Sequence, residues 1–301
     1  MTIITHAEYP EDHAVLAAMR PMLLPGKGLL TTPEARGPFD GIMSQVPGAE
    51  GVTYEAAIVG GVPGWWVRPD NSSGDAVLLY LHGGAFVVGS AATHRFLVSH
   101  IAKVANTAAF VADYRLAPEN PFPAAYDDAW TAYQALSQLG YKRIALVGDS
   151  AGGGLAFALA RRAVDQGLRP AAAVAISPWV DLSLKSPSMD SRAEADPLST
   201  KAALVTAAGA YLGPTASSDP QVSPIYGDLT NLPPIRIHVG EDDVFLDDTI
   251  RYAQAVEGAG GQIEAHIWKG MIHVFLSNVT SLRSAPEAID DIGVFLTEHL
   301  S

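Results

Sequence analysis

The stretch "ALVGDSAGGGLAFALARRA", residues 145–163, decides the fold. An apolar run typical of a buried strand enters the pattern G-x-S-x-G at residues 148–152 and passes directly into a run typical of a helix. A serine at such a turn is held in a strained, exposed position, and small residues two before and two after it let strand and helix pack closely. A serine that only caps a helix would leave both glycines unexplained. The stretch therefore predicts that Ser150 is a nucleophile.

Short apolar runs divided by glycine and proline extend in both directions from this strand. We predict strands at residues 52–59, 62–69, 76–82, 107–114, 143–149, 171–177, 234–240 and 263–269, with the first two joined as a hairpin. Most runs are too continuously apolar for a sheet with one wet face, and helix-like segments separate most of them. The predicted fold class is therefore α/β: a mostly parallel, eight-stranded sheet with helices on both faces.

Two segments lie outside this repeating pattern. Residues 1–50 show helical spacing followed by a stretch rich in helix breakers. Residues 183–225 lengthen the connection between two predicted strands far beyond what a simple crossover needs, and they carry a predicted helix at about 200–212. We predict that both segments form a helical cap over the site, while residues 51–182 and 226–301 form the catalytic core.

The composition excludes several classes of partner. The chain has 301 residues, of which 48% are hydrophobic, and its net charge of −13 would repel a nucleic-acid backbone or an anionic membrane surface. The absence of cysteine excludes disulfides, thiolate nucleophiles and thiolate metal sites. No secretory signal is visible, and no apolar run approaches the roughly 20 residues of a membrane span. We expect a cytoplasmic protein that binds a small molecule, with no nucleic acid and no membrane as partner.

A serine hydroxyl needs a base that removes its proton and a third group that orients the base. Downstream of Ser150, His238 and His266 lie within predicted strands, and His299 lies near the end of the last predicted helix. His273 instead follows a strand, where its side chain can project over the carboxyl edge of the sheet. We therefore predict His273 as the base.

The acid is predicted in "VGEDDVFLDD", residues 239–248. Asp242, Asp243, Asp247 and Asp248 all compete for the role, and an acidic run is often only a solvated turn. This run, however, follows a predicted strand and precedes a helix, which is where the acid of such a triad belongs.

The sequence H-G-G-A at residues 82–85 follows an earlier predicted strand. Glycines let backbone N–H groups turn toward a cavity, and such donors stabilise the oxyanion that forms when a serine attacks a carbonyl. We predict oxyanion donors at Gly83, Gly84 and Ala85, together with Ala151, the residue after the nucleophile. Alanine suits this loop if its φ is negative, and its methyl group should narrow the space beside the scissile carbonyl.

Five motifs in this order resemble the hormone-sensitive-lipase-like family of α/β-hydrolases. They are H-G-G at 82–84, "DYRLAPENPFPAAYDD" at 113–128, G-D-S-A-G-G at 148–153, "GEDDVFLDD" at 240–248, and the histidine at 273. The resemblance spans about residues 55–299. It implies a capped α/β-hydrolase fold, hydrolysis of carboxylic esters, and no metal or organic cofactor.

The resemblance also implies roles for single residues. It selects Asp243 as the acid that acts with the serine and histidine predicted above. His82 and Glu119 would brace the loops through hydrogen bonds, and Asp247 would be the second carboxylate that follows the acid by four residues.

We therefore expect a serine carboxylesterase for short- to medium-chain acyl esters, because a capped site encloses a small acyl group. A lactone hydrolase with the same triad is the alternative, and a peptidase or amidase is another. A non-enzymatic ligand-binding protein of this fold is disfavoured, since all three triad residues are retained. Members of the family often form homodimers through the edge strand and the last helix, here residues 263–269 and 286–300.

Apolar residues beside the motifs are the predicted wall of the substrate pocket. They are Phe86, Trp179, Leu184, Tyr211, Ile272 and Val274, with Met22, Leu23 or Met43 from the N-terminal segment.

Overall fold

Within the part of the chain that the structure describes, the sheet contains nine strands where the sequence predicts eight. The computed structural model describes residues 2–70, 72 and 74–301; Met1, Asn71 and Ser73, which fall within the predicted segments 1–50 and 51–182, lie outside the described residues. The strands are Thr2–His6 (β1), Val52–Val59 (β2), Val62–Pro69 (β3), Ala76–Leu81 (β4), Ala109–Ala112 (β5), Arg143–Asp149 (β6), Ala172–Ile176 (β7), Ile235–Gly240 (β8) and Ile263–Trp268 (β9).

The strand order is β1-β9-β8-β7-β6-β4-β5-β3-β2. The hairpin β2–β3 is antiparallel and β3 runs antiparallel to β5, whereas the remaining neighbours are parallel. The additional strand, β1, pairs with β9 along its whole length. Residues 263–269 are therefore not at the sheet edge, which corrects the basis of the expected dimer interface.

Helices lie on both faces of the sheet, as predicted. They are Pro10–Leu23 (α1), Arg36–Met43 (α2), Ala91–Val104 (α3), Ala124–Gln138 (α4), Ala151–Asp165 (α5), Ser188–Ser191 (α6), Lys201–Leu212 (α7), Leu246–Gly258 (α8) and Ser284–Leu300 (α9), with short 3-10 turns at Leu24–Gly26, Pro33–Ala35, Pro224–Tyr226 and Phe275–Ser277.

The central strands are buried on both faces. In β4, Leu78 packs into the cluster beneath α3 and α9, while its neighbour Leu79 packs into the cluster beneath α4, α5 and α8. Both side chains have no exposed surface. Because successive side chains of a strand point to opposite faces, a strand with both faces covered must be apolar at every position. This explains the continuous apolar runs in the sequence.

The turn between β6 and α5 has the strain that its sequence predicts. Ser150 adopts φ 53° and ψ −121°, outside the regions that side chains favour. A Cβ at Gly148 would lie 2.4 Å from the carbonyl oxygen of Gly152, and a Cβ at Gly152 would lie 2.0 Å from that of Leu81. The two glycines thus allow the close contact between strand and helix that holds the serine in place.

The N-terminal segment is fastened to the last helix. The buried carboxylate of Asp12 in α1 accepts hydrogen bonds from the N–H of Arg283 and from the N–H and hydroxyl of Ser284, at the beginning of α9. In the inserted segment, α7 confirms the helix predicted at about 200–212, and Thr200 caps it. Among the described residues, none of the helices is both long and apolar enough to cross a membrane.

Candidate active site

Ser150, His273 and Asp243 come together although they lie on three different loops. His273 Nε2 lies 3.1 Å from Ser150 Oγ, and His273 Nδ1 lies 2.9 Å from Asp243 Oδ2. A carboxylate only accepts, so Nδ1 carries the ring proton and Nε2 keeps the lone pair that faces the serine hydroxyl. The other carboxylate oxygen of Asp243 accepts the N–H of Phe245, which fixes the orientation of the buried acid.

The surroundings of His273 favour its protonated form. Burial opposes the charged imidazolium, but the attraction and hydrogen bond of Asp243, followed by the fields of Asp196 and Asp149, outweigh it and raise the pKa of His273 to about 8. Asp196 is itself fully buried, and burial together with repulsion from Asp243 raises its pKa. A proton taken from a serine at this site is therefore held firmly by the imidazole.

The loop at residues 82–85 lies beside Ser150 and supplies fewer donors than predicted. The N–H of Gly83 is already used, because it donates to Asp149 Oδ1 at 2.9 Å. The prediction that Gly83 donates to an oxyanion is therefore wrong. None of the described residues accepts a hydrogen bond from the N–H of Gly84 or Ala85. Ala151 begins α5, where an N–H has no partner within the helix.

Ala85 has a φ of 54°, so the negative φ that would suit alanine in this loop is not found. Phe86, the next residue, has a φ of 64°. The cause is a tight turn in which the N–H groups of Val87 and Val88 both donate to the carbonyl oxygen of Gly84, at 3.0 and 2.9 Å. A left-handed conformation costs an L-residue about 1–2 kcal/mol. The turn therefore stores strain at Ala85, which lines the same cavity as Ser150.

A cavity of about 420 Å³ opens above these groups. Ile272 and Val274 line it as predicted, together with Leu23 and Met43 from the N-terminal segment. Met22 instead points outward, with 71% of its surface exposed. Further lining residues are Met19, Leu30, Phe39 and Val46 from the N-terminal segment and Leu198, Ser199 and Leu204 from the inserted segment.

Four predicted pocket residues belong to the core instead. Phe86 and Tyr211 are buried with their rings stacked 3.7 Å apart, and Trp179 packs against Phe245. Leu184 is also buried, and none of the four lines the cavity. Aromatic rings that pack against one another bury more apolar area than rings that face a wet cavity. Position in the sequence alone does not show whether a ring packs in the core or lines the cavity.

Comparison with known proteins agrees with this architecture. A family model described as an alpha/beta hydrolase fold matches residues 78–277. An acetyl-hydrolase of Streptomyces hygroscopicus is 41% identical over 245 residues, covering 80% of this chain and 82% of that protein. An esterase of Acinetobacter venetianus is 36% identical over 230 residues, covering 75% and 76%. A crystal structure of an esterase from the bacterial hormone-sensitive lipase family matches with a TM-score of 0.91 and 36% identity, covering 98% of this chain and 100% of that one.

The chain belongs to the hormone-sensitive-lipase-like family of α/β-hydrolases. The resemblance carried by its five motifs is therefore confirmed, as is the α/β-hydrolase fold.

The loops of this hydrolase are braced partly as the sequence predicts. His82 Nδ1 donates to the carbonyl oxygen of Gly83, and its ring stacks on Tyr114 at 4.2 Å. Burial, helped by His94, lowers the pKa of His82 to about 3, so this ring stays neutral. Glu119 binds Arg36, which donates to the carbonyl oxygen of Val87 in the turn that follows residues 82–85.

Arg36 was not found from the sequence. Its guanidinium binds both oxygens of Glu119, at 2.9 and 2.7 Å, and donates to the carbonyl oxygens of Val87 and Ala117. It thereby joins the N-terminal segment to two loops of the core.

The second carboxylate of the acidic loop is Asp248, not Asp247. Asp248 is fully buried and accepts from the N–H groups of Val180 and Asp181, both at 3.0 Å, and from the hydroxyl of Ser186. Burial raises the pKa of Asp248 to about 7. Asp247 is partly exposed, because one residue along a helix turns the side chain by about 100°. The four-residue register therefore selects the wrong neighbour.

Asp149 and Asp196 contribute to the site of this hydrolase, although neither is among the residues predicted from the sequence. Asp149 accepts from the hydroxyl of Tyr80 at 2.8 Å as well as from the oxyanion loop, and it lines the cavity. Asp196 accepts from the N–H groups of Leu198 and Ser199, and at 3.2 Å from that of Val244. The position of Asp149 next to Ser150 in the sequence could have indicated a role in the site. Asp196, by contrast, lies in a loop with no recognisable motif.

One cluster in the described part of the chain has the residue types of a metal site: His238, His266 and Asp291. Trp268 Nε1–H donates to His238 Nδ1 at 3.1 Å, so His238 Nε2 carries the proton and faces Asp291 Oδ1 at 3.1 Å. A metal would need the lone pair of that nitrogen, and Arg236 already donates to the same carboxylate oxygen. This donor set does not suit a metal ion.

Proposed function

We propose that this hydrolase is a serine carboxylesterase that acts on short- to medium-chain acyl esters. The observation that carries the proposal is the continuous chain Ser150–His273–Asp243, with contacts of 3.1 and 2.9 Å, at the floor of a largely apolar cavity. A hydroxyl, a base and an acid in this order are the arrangement that activates serine for attack on a carbonyl.

In the first half-reaction, Ser150 Oγ attacks the ester carbonyl carbon while His273 Nε2 takes the hydroxyl proton. Asp243 stabilises the imidazolium that forms. The negative charge that develops on the carbonyl oxygen is met by the N–H groups of Gly84, Ala85 and Ala151. When the tetrahedral intermediate collapses, Nε2–H protonates the departing alkoxide, and the acyl group stays on the serine.

In the second half-reaction, a water molecule replaces the alcohol. His273 removes one proton from this water as its oxygen attacks the acyl carbon, and then returns that proton to Ser150 Oγ as the carboxylic acid leaves. The serine and the neutral imidazole are thereby restored, so each turnover consumes one ester and one water.

The size of the cavity supports a preference for small acyl groups. Its volume of about 420 Å³ lies near the lower end of the usual range for ligand pockets, about 300–1,000 Å³. Residues from both segments proposed as the cap, 1–50 and 183–225, contribute to its wall. The name acetyl-hydrolase, given to the Streptomyces hygroscopicus relative, also points to a short acyl group. Lactone hydrolysis, a cytoplasmic location and a homodimer stay predictions from the sequence.

The test is replacement of the nucleophile. Ser150→Ala should lose turnover of p-nitrophenyl butyrate by at least about a thousandfold and lose covalent labelling by a fluorophosphonate, while its thermal stability stays close to that of the wild type. The control is Ser44→Ala, which alters an exposed serine outside the cavity.

Full turnover in Ser150→Ala would overturn the proposal, and a wild-type protein that does not label would point to a binding protein. A panel of linear esters from acetyl to decanoyl, assayed beside lactones of matched size, separates the esterase from the lactone hydrolase. Higher kcat/KM for lactones would favour the latter.

A further inference from the structure

Arg20, in the last turn of α1, reaches three other segments with one guanidinium. Its Nη1 donates to the carbonyl oxygen of Ala195, and its Nη2 donates to the carboxylate of Asp242 and, at 3.2 Å, to the carbonyl oxygen of Gly270. About a quarter of its side chain is exposed, 26%, so the ion pair with Asp242 is shielded from bulk water on most sides.

Each of these acceptors is close in sequence to a group that the proposed reaction uses. Asp242 directly precedes the acid, Asp243, and Gly270 begins the short turn that carries His273. Ala195 directly precedes Asp196, whose carboxylate binds the N–H of the residue that follows the acid. The guanidinium therefore joins the loop of the acid, the loop of the base and the inserted segment to one helix of the N-terminal segment.

Only arginine can hold these three acceptors together. Its planar fork presents five N–H donors in fixed directions, whereas a lysine ammonium is a single point charge. The charge matters as well, because Asp242 and Asp243 are adjacent carboxylates and repel each other. Arg20 offsets that repulsion and leaves Asp243 free to face His273.

A second arginine fastens α1 to the protein at a distance from the active site. Arg283 donates to Glu11 at 3.1 Å and to Glu287 at 3.0 Å, and its guanidinium lies 3.8 Å from the ring of Tyr9. None of these partners lines the active-site cavity. Arg283 therefore provides a matched control for an arginine that only attaches α1.

We propose that Arg20 is a positioning residue for the acid and base of the triad, and that it couples the packing of α1 to their alignment. When α1 lies in place, the loops of Asp243 and His273 are held at the separation that the 2.9 Å contact between them requires. When Arg20 is absent, the two loops move independently and the imidazole loses its fixed orientation. The inference rests on the proposed function.

The experiment compares Arg20→Met with Arg283→Met. With p-nitrophenyl butyrate, Arg20→Met should lower kcat by about tenfold to a hundredfold, because a small misplacement of catalytic groups has effects of that size. KM should change by less than about threefold, and the rate of fluorophosphonate labelling should fall in parallel with kcat. Arg283→Met should keep kcat and labelling within about twofold of the wild type. This should hold even if its Tm falls as far as the Tm of Arg20→Met.

Two further variants keep the inference testable if Arg20→Met does not fold. Arg20→Lys retains the charge opposite Asp242 but not the fork, so its kcat should lie between those of the wild type and Arg20→Met. Asp242→Asn weakens the same contact from the other side and should also lower kcat. Where Arg20→Met folds, the double variant Arg20→Met/Asp242→Asn should lose no more kcat than the worse single variant, because Arg20→Met already removes the contact that Asp242→Asn weakens.

A folded Arg20→Met with kcat and labelling within twofold of the wild type would overturn the inference. A rise in KM alone would do so as well, since it would mean that Arg20 shapes the pocket without aligning the triad. If Arg20→Met does not fold, wild-type kcat in Asp242→Asn has the same meaning. Turnover by Ser150→Ala would refute the proposed function itself. If Ser150→Ala is inactive and Arg20→Met is fully active, only the inference about Arg20 is refuted.

Discussion

The pKa of the base makes the pH dependence of the reaction predictable. His273 can accept the serine proton only when Nε2 is unprotonated, and the carboxylates around it raise its pKa to about 8. Because the charged form is the favoured one, activity must be lost as the pH falls through this value and must rise as the pH increases through it. The kcat/KM of the free enzyme should therefore follow the fraction of neutral imidazole.

The size of the effect follows from the pKa. With a pKa of about 8, the neutral fraction of His273 is about 1% at pH 6, about 9% at pH 7 and about 90% at pH 9. The kcat/KM should thus rise about tenfold between pH 6 and pH 7 and level off near pH 9. An unperturbed histidine, with a pKa of about 6.5, would give only about a threefold rise over the same interval.

The measurement is kcat/KM for p-nitrophenyl butyrate from pH 5.5 to 9.5 at constant ionic strength, read at a wavelength where both forms of the product absorb equally. Enzyme preincubated at each pH and returned to pH 8 reports any irreversible loss. In Asp196→Asn the midpoint should move to lower pH, because a carboxylate that raises the pKa of His273 is removed. Asp165→Asn makes the same change of charge at an exposed site and should leave the midpoint in place. A wild-type midpoint at or below pH 6.5 would refute the reasoning.

Two further predictions concern single residues whose surroundings the structure reveals. Ala85→Gly removes the methyl group from a residue with φ 54°, so it should shift the preferred acyl chain toward larger groups. The kcat for acetate esters should change by less than about threefold. A loss of activity toward all esters would instead show that the methyl group holds the loop in place. Asp248→Ala leaves two N–H groups and a hydroxyl without their buried acceptor. In urea titrations it should lower the free energy of unfolding by about 3 kcal/mol. Asp247→Ala should lower the free energy of unfolding by less than about 1 kcal/mol. Equal effects of the two aspartate variants would contradict the assignment of Asp248 as the structural carboxylate.

Much of the fold was accessible from the sequence because its signals are local. The strands of the core are continuous apolar runs, and the glycines around Ser150 mark the turn before α5 directly. The N-terminal strand was missed for the opposite reason. Thr2–His6 is short and becomes a strand only by pairing with β9, at the far end of the chain.

The candidate site divides in the same way. The positions of the serine, the histidine and the oxyanion loop follow from the order of motifs along the chain. The order of motifs does not show which N–H groups of this loop remain free to bind an oxyanion. Asp149 accepts the N–H of Gly83, and no spacing in the sequence reveals that contact. The sign of φ at Ala85 is equally hidden, since it depends on how the following residues fold back onto Gly84.

The sequence by itself therefore determined the family, the order of strands and helices in the core, and the three side chains of the proposed triad. Only the tertiary structure decided that Asp248 and not Asp247 is buried, that four expected pocket residues pack in the core, and that Arg20 lies between the loops of acid and base. Helices, strands and turns leave patterns in neighbouring residues, because backbone sterics and burial act over one turn or one strand. Contacts between distant segments depend on the packing of the whole chain, so they appear only when it has folded.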